Sequence, residues 1–413
     1  MTIALSPRPS APSAAPPSAA LKRRRRWPAI VALTIGVALV AAAVIWRSFA
    51  VPALVKFPTD VDQTPRYEGT FVLFVDPATA APLDEPTTAD LAVNRHIEAR
   101  PAESGAHDVV VRETITFEIK GLPEATQVHQ YVMDRSTNIN VDDERAWAYE
   151  SSNVLDRADA YWIAMPTDVD VSSPVRMYKD EIGATFSAVG GPATEEIDGL
   201  QLVGFEVGVA SPQPLTEAYL QSLEAVVPLP RSLTFDQLRP SLLAAGLPVD
   251  EAMASVAALA TPDDLVTLAE LIAEPIPLEY VITFSGHTFV EPQTGAIVDV
   301  SSAFDRVSAR PAGEAISELV NILDRYRDDP AIAATIDALE DFSTQPLPVF
   351  EYRYAQVPDS VEEIAGWVSG QRDRMNLAER TIPLVLGSTG AICVGAGVLM
   401  QLRRGVAEKE QLT

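Results

Sequence analysis

Two scales of hydrophobic patterning divide the chain. Residues 27–46, "WPAIVALTIGVALVAAAVIW", contain no charged side chain, and neither do residues 381–402, "TIPLVLGSTGAICVGAGVLMQL". Each run matches the ~20 apolar residues a helix needs to cross ~30 Å of hydrocarbon. Between them the pattern is shorter. In "VRETITFEIKG", Thr114, Thr116 and Glu118 alternate with Ile115, Phe117 and Ile119, a period of two that predicts a strand with one buried face. Strands are likewise predicted over "RYEGTFVLFVD", "DVVVRETITFEIKG", "HQYVMDRS", "RAWAYES" and "AYWIAMPTD". All are short, β-branched and aromatic, and bounded by Pro, Gly, Asn or Asp.

The period lengthens near residue 214. "TEAYLQSLEAVV" and "SLTFDQLRPSLLAAG" read as helices, and "PVDEAMASVAALATPDDLVTLAELIAE" breaks at Thr261-Pro262, where Thr261 suits the cap of the next helix. Strands resume after residue 275, with a hairpin at "PQTGAIVD" in which Gly295 is free to take positive φ. A helical pair over 312–339, a strand "PLPVFEYRYAQV" and a helix over 359–382 complete the chain up to the second apolar run. The expected fold class is α+β: a β-dominated exterior domain at 47–380, with a helical insertion at about 214–275, flanked by transmembrane helices at 27–46 and 381–402. Tails at 1–26, rich in Pro, Ser and Ala and expected to be disordered, and at 403–413 complete the layout.

Charge orients this arrangement. "KRRRR" precedes the first apolar run and "RR" follows the second, so both termini are expected in the cytoplasm and residues 47–380 outside the cytoplasmic membrane. A signal peptide would have an apolar region of ~7–15 residues and a small-x-small cleavage site. The first run is longer, and "WRSFAVPAL" offers a poor site, so an uncleaved anchor is expected. The formal net charge is −26; residues 1–46 carry six basic and no acidic side chains and residues 381–413 a net +1, which leaves −33 on residues 47–380. Such a field repels nucleic acid, so no nucleic-acid partner is expected. Cys393 is the single cysteine, so no intramolecular disulfide is possible. Gly387, Gly390, Gly395 and Gly397 permit another helix to approach the second run closely.

The densest polar stretch is "YVMDRSTNINVDDERAWAY", residues 131–149. Read from Asp134, with Ser136, Asn138, Asn140 and Asp142 at alternate positions, it has the spacing of a calcium loop. The pattern fails at Ile139, where the turn needs glycine, and at Arg145, where the bidentate glutamate belongs. A strand, a polar turn and a second strand is the better reading, with Asp134 and Arg135 paired to neighbours. His96, His107, His129 and His287 show no ligand spacing, and no nucleophile elbow, P-loop or dinucleotide fingerprint occurs. Acidic pairs such as Asp142/Asp143 and Glu362/Glu363 are expected as solvated surface. No catalytic residue, metal or cofactor is therefore expected. Trp147, Tyr149, Tyr161 and Trp162 suit either an apolar ligand cavity or plain core.

The run "YVMDRSTNINVDDERAWAYES", then "LDRADAYWIAMPTD", "VRMYKDEIGAT" and "EPQTGAIVDV", resembles the actinobacterial porin PorA family. Asp134, Arg135, Asp142, Arg145, Trp147 and Tyr149 carry its signature, without an assigned role. The resemblance covers nearly the whole exterior segment and both apolar runs, and is weakest over the helical middle. It implies one N-terminal span, a large exterior domain and one C-terminal span. Relatives that include a mycobacterial polar growth factor, PgfA, imply traffic of mycolate glycolipids across the envelope. The implied partners are a lipid or glycolipid, the membrane and envelope lipid-export proteins, and the implied role is non-enzymatic binding or transfer. A membrane-anchored scaffold for envelope machinery is the alternative, and a pore the less favoured one: a transmembrane barrel needs many ~10-residue lipid-facing alternating strands, which a highly charged middle does not supply. The two-span layout is also similar to that of class B scavenger receptors, by architectural analogy.

Overall fold

The period-two segments assemble into one antiparallel sheet. The computed structural model describes residues 19–410 apart from 77–80, 151–156, 225, 228, 245 and 342–345; most of the 1–26 tail and the last residues of the 403–413 tail lie outside the described residues. The strands are β1 Asp62–Gln63, β2 Arg66–Val75, β3 Pro82–Ala99, β4 Asp108–Ile119, β5 Ala125–Asp134, β6 Trp147–Ala148, β7 Val175–Lys179, β8 Ala184–Ile197, β9 Leu200–Pro214, β10 Ser232–Leu233, β11 Ile276–Val290, β12 Ile297–Pro311 and β13 Leu347–Gln356. The helices are α1 Ala19–Ile45, α2 Val51–Leu54, α3 Glu217–Leu223, α4 Phe235–Ala244, α5 Val249–Leu259, α6 Pro262–Ala273, α7 Glu314–Asp324, α8 Pro330–Asp341, α9 Pro358–Asn376 and α10 Ile382–Glu410.

Residues 56–372 form one compact unit. Its sheet runs β6-β5-β4-β3-β2-β13-β12-β11-β9-β8-β7, with β1 on β3 and β10 on β11. The two ends of this row are tied together. Met133 on β5 bridges Asn140, the Asn140 N–H donates to the Ala160 carbonyl at 3.0 Å, and Tyr161 bridges Met177 on β7. The sheet thus curls around a lumen. Alternate side chains fill it, among them Phe71, Phe205, Ile282, Val307 and Phe350, all buried. The opposite face is covered in part by α9, which buries Val361, Ile364, Ala365 and Val368 against Leu200, Leu202 and Val298.

Both helical insertions leave the same end of the sheet. The register pairs Val281 with Pro214, Leu278 with Pro311 and Ala309 with Leu347, so the β9–β11 and β12–β13 connections emerge side by side. Helices α3 to α6 fill the first connection and α7 and α8 the second. They pack into one lobe through Ala252, Val256 and Leu268 from the first and Ile322, Leu323, Ile332 and Ile336 from the second. Thr261 caps α6 as expected, accepting from the Asp264 N–H. Gly295 takes φ 74° in the β11–β12 turn, and a Cβ there would collide with the Met165 carbonyl.

Two local expectations are corrected, and one strand was not anticipated. "AYWIAMPTD" is not a strand: apart from the Tyr161 bridge it is a loop, held to the β11–β12 turn by Met165 N–H to Gly295 O at 2.7 Å and Val169 N–H to Pro292 O at 2.8 Å. Its buried residues Ala160, Ile163, Ala164 and Met165 do not alternate with exposed ones as a half-buried strand's would. "RAWAYES" shrinks to two paired residues, because Tyr149 and Glu150 both take positive φ. The 18-residue β3 carries "PTTADLAVNRHIEA", whose polar residues masked its alternation.

Residues 1–55 and 373–413 form the second unit. Trp27–Ala50 and the apolar part of Pro358–Arg403 are long and apolar enough to cross a membrane. Helix α1 begins at Ala19, ahead of the uncharged run, and each span adjoins a π-helical turn, Trp46–Ala50 and Leu377–Thr381. The glycines of α10 find their partner in α1: a Cβ on Gly390 would lie 2.8 Å from the Gly36 carbonyl oxygen, and one on Gly397 would meet Ala29 and Leu33. The Trp46 indole N–H donates to the Ala378 carbonyl at 2.9 Å.

Candidate functional site

Two of the cavities among the described residues of the 56–372 unit differ in chemistry. The larger, about 250 Å³, sits in the helical lobe between two apolar clusters, one around Leu238, Leu242 and Ile276 and one around Val256, Leu268 and Ile336. Among the described residues, Thr335 is the only one lining it with a polar side chain. Amphipathic helices bury one stripe, but here Met253 on α5 and Leu265 on α6 line the cavity and are also exposed, at 44% and 36%. They mark its mouth. A well-packed interior leaves few voids larger than a water molecule.

The smaller cavity, about 150 Å³, lies in the sheet lumen. Inward strand positions that should be apolar carry charge there. Glu113 shares its face of β4 with Ile115, Phe117 and Ile119, yet is fully buried. Arg95 on β3 pairs with it. The Tyr131 hydroxyl stands 2.9 Å from Glu113 Oε2 and 2.7 Å from Asp180 Oδ2, and the Trp162 indole N–H donates to Glu113 Oε2 at 3.1 Å. Arg157 donates to Asp180 Oδ1 from Nε at 2.8 Å and Nη2 at 2.6 Å, with its guanidinium 4.1 Å above the Tyr131 ring. Nearby, Lys179 Nζ lies 3.1 Å from Glu181, 3.5 Å from Asp305 and 4.7 Å from the Phe284 ring centre.

Burial and pairing set the protonation of this network in opposite directions. Burial pushes the Asp180 carboxyl up, but the Arg157 charge and the His129 ring outweigh it and hold the pKa at about 2. For Glu113 burial is likewise overcome, by Arg95 and His129, so its pKa is lowered. Asp305 goes the other way: burial and the Glu181 charge raise its pKa, against the pull of Lys179. Breaking a pair of this kind leaves an uncompensated buried charge.

The signature residues split between this lumen and the outer surface. Asp134 Oδ1 caps a turn, accepting from the Ser136 and Thr137 N–H groups at 2.8 and 3.0 Å. Arg135 donates to the Phe57 carbonyl at 2.9 Å, and Asp142 is exposed. Arg145 holds Asp143 and Asp108 and donates to the Glu103 carbonyl. Trp147 stacks under the Arg112 guanidinium. Tyr149 packs edge-on to His129, ring centres 4.7 Å apart. Of the four aromatics in the cavity expectation, Trp162 lines the lumen cavity, while Trp147, Tyr149 and Tyr161 do not.

Missing from the sequence reading were Arg95, Glu113, Lys179, Thr288 and Asp305. Their signal was present: each falls in phase with apolar neighbours such as Leu91 and Val93, Ile115 and Phe117, or Val175 and Met177.

The Porin PorA family profile matches residues 28–399. The chain belongs to the Porin PorA family. No curated protein matches the sequence. Membership, together with the two apolar helices, points to a membrane protein of the cell envelope. Within the Porin PorA match fall most of each apolar helix, the curled sheet and these two cavities.

Proposed function

We propose that this Porin PorA family member is a non-enzymatic membrane protein whose sheet-and-helix domain holds the acyl part of a lipid or glycolipid outside the cytoplasmic membrane and hands it on during envelope biogenesis. The observation that carries the reading is the 250 Å³ apolar cavity with Met253 and Leu265 at its mouth. A 150 Å³ cavity lined by Leu, Ile and Phe stays dry and takes benzene; a larger one, open through apolar side chains, suits a hydrocarbon chain. The positive residues flanking the two apolar runs support an exterior position for this domain, and the two-span layout is similar to that of class B scavenger receptors by analogy alone.

The family's name raises a second reading, a pore. Two observations weigh against the sheet itself serving as one. Its lumen is filled by Phe71, Phe205 and Phe350, and its outward positions include exposed Arg66, Glu68, Glu118, Glu206 and Arg353 rather than an apolar band. Full chain extracted from its membrane tests the two readings together. Mass spectra of the extract should show an acyl lipid at about one per chain, and planar bilayers should show no conductance steps. Lipid-free protein with stepwise conductance would overturn the proposal.

A further inference from the structure

A smaller gap continues the helical cavity toward the strand ends. This gap, of about 40 Å³, is bounded by Leu238 and Pro311, which also line the helical cavity, and by Tyr280, Ala309 and Val349 at the strand ends. Strand register shows what lies beyond it. Tyr280 pairs with Ala309, Ile282 with Val307 and Phe284 with Asp305; Val307 pairs in turn with Phe350, and Asp305 with Tyr352. Successive inward residues on a strand stand about 7 Å apart. A single layer, Ile282, Val307 and Phe350, therefore separates the gap from the lumen cavity, whose lining includes Phe284, Asp305 and Tyr352. All three residues of the layer are fully buried.

The lumen end has the chemistry of a neutral polar group. Thr288, 7% exposed, lines it with Oγ1 unpartnered, and Arg95 Nη2 is also buried without a hydrogen bond. An unsatisfied buried polar atom costs about 1–3 kcal/mol, so a hydroxyl-bearing guest would be stabilised there. A guest anion would not: Glu113, Glu181 and Asp305 already outnumber Arg95 and Lys179, and both cations are paired. Ser285 and Ser302, exposed and lining the cavity, mark its opening.

We propose that the helical cavity and the lumen cavity are the two ends of one site for a single-chain amphiphile. Its acyl chain lies in the helical lobe, crosses the layer as the Phe350 side chain swings aside, and its neutral hydroxyl-bearing head rests beside Thr288. This rests on the acyl-chain reading of the helical cavity.

Photolabelling of the full chain in nanodiscs tests it, with two monoacylglycerols carrying a diazirine at the chain end or beside the glycerol. Peptide mapping should place the chain-end label on α5 and α6 and the head label on β7, β11 or β12. Phe350→Ala should raise the lumen label several-fold. Thr288→Val, which keeps the shape and removes the hydroxyl, should lower it several-fold, and a fatty-acid probe should label the lumen more weakly than the glycerol ester. Both labels confined to the helical lobe would overturn this inference and leave the acyl cavity standing. Labels at neither place would overturn both.

Discussion

Gly36 and Gly390 touch backbone to backbone: a Cβ on Gly36 would stand 2.7 Å from the Gly390 carbonyl oxygen. Close approach of this kind lets dispersion and weak hydrogen bonds hold two helices together where lipid supplies no hydrophobic drive. The two apolar helices are therefore a packed pair, and the glycines of α10 divide into those the pair uses and those it does not.

That division gives a test with its own control. Gly36→Leu and Gly390→Leu should each destabilise the helix pair by about 1–3 kcal/mol through overpacking. Gly387→Leu and Gly395→Leu should be neutral, since nothing stands within 4 Å of a Cβ at either. Thermal unfolding of the full chain in nanodiscs measures all four, and equal losses would break the assignment.

The Arg157–Asp180 pair predicts an acid-sensitive domain. Asp180 titrates at about 2 in the fold, below its unfolded value of about 4. The unfolded chain therefore binds more protons between those values, and stability falls as pH drops from about 4 to about 2. Asp180→Asn should remove that slope. At pH 7 it should cost about 3–5 kcal/mol by stranding Arg157.

Asp299 predicts the opposite slope. Burial and the Glu195 charge, opposed by His287, raise its pKa to about 6. Here the folded state binds the extra proton, so this contribution is full below about pH 4 and is lost as pH rises through about 6. Asp299→Asn should raise stability at pH 7 by about 1–3 kcal/mol and leave it unchanged at pH 4. Melting temperatures at the two pH values decide it.

Much of this architecture is legible in the sequence. The helices from Glu217 to Ala273, the Thr261 cap and the Gly295 turn follow from local chemistry, which reads directly from neighbouring residues. The cavities do not, because they depend on which strands meet. Glu113 and Arg95 are 18 residues apart and pair only through the β3–β4 register. Asp305 and Lys179 meet only because the sheet curls. Residues 131–149 show the converse: their polar density serves the turn that was read there, a surface ion cluster and the Asn140 tie between sheet edges, while the lumen charges lie on strands that read as ordinary core.

The account rests on an acyl chain occupying the helical lobe, and one comparison tests that most directly. Ala257 and Ala269 line the cavity near its mouth and are exposed, so Ala257→Phe with Ala269→Phe should fill it without disturbing the core. Lipid carried per chain is then measured by mass spectrometry on wild type and double variant purified side by side from the same membrane. The prediction is about one acyl lipid per wild-type chain and at least a tenfold loss in the variant, a difference of about 1.4 kcal/mol or more, with the melting temperature held. Equal lipid on both proteins, or none on either, would contradict it.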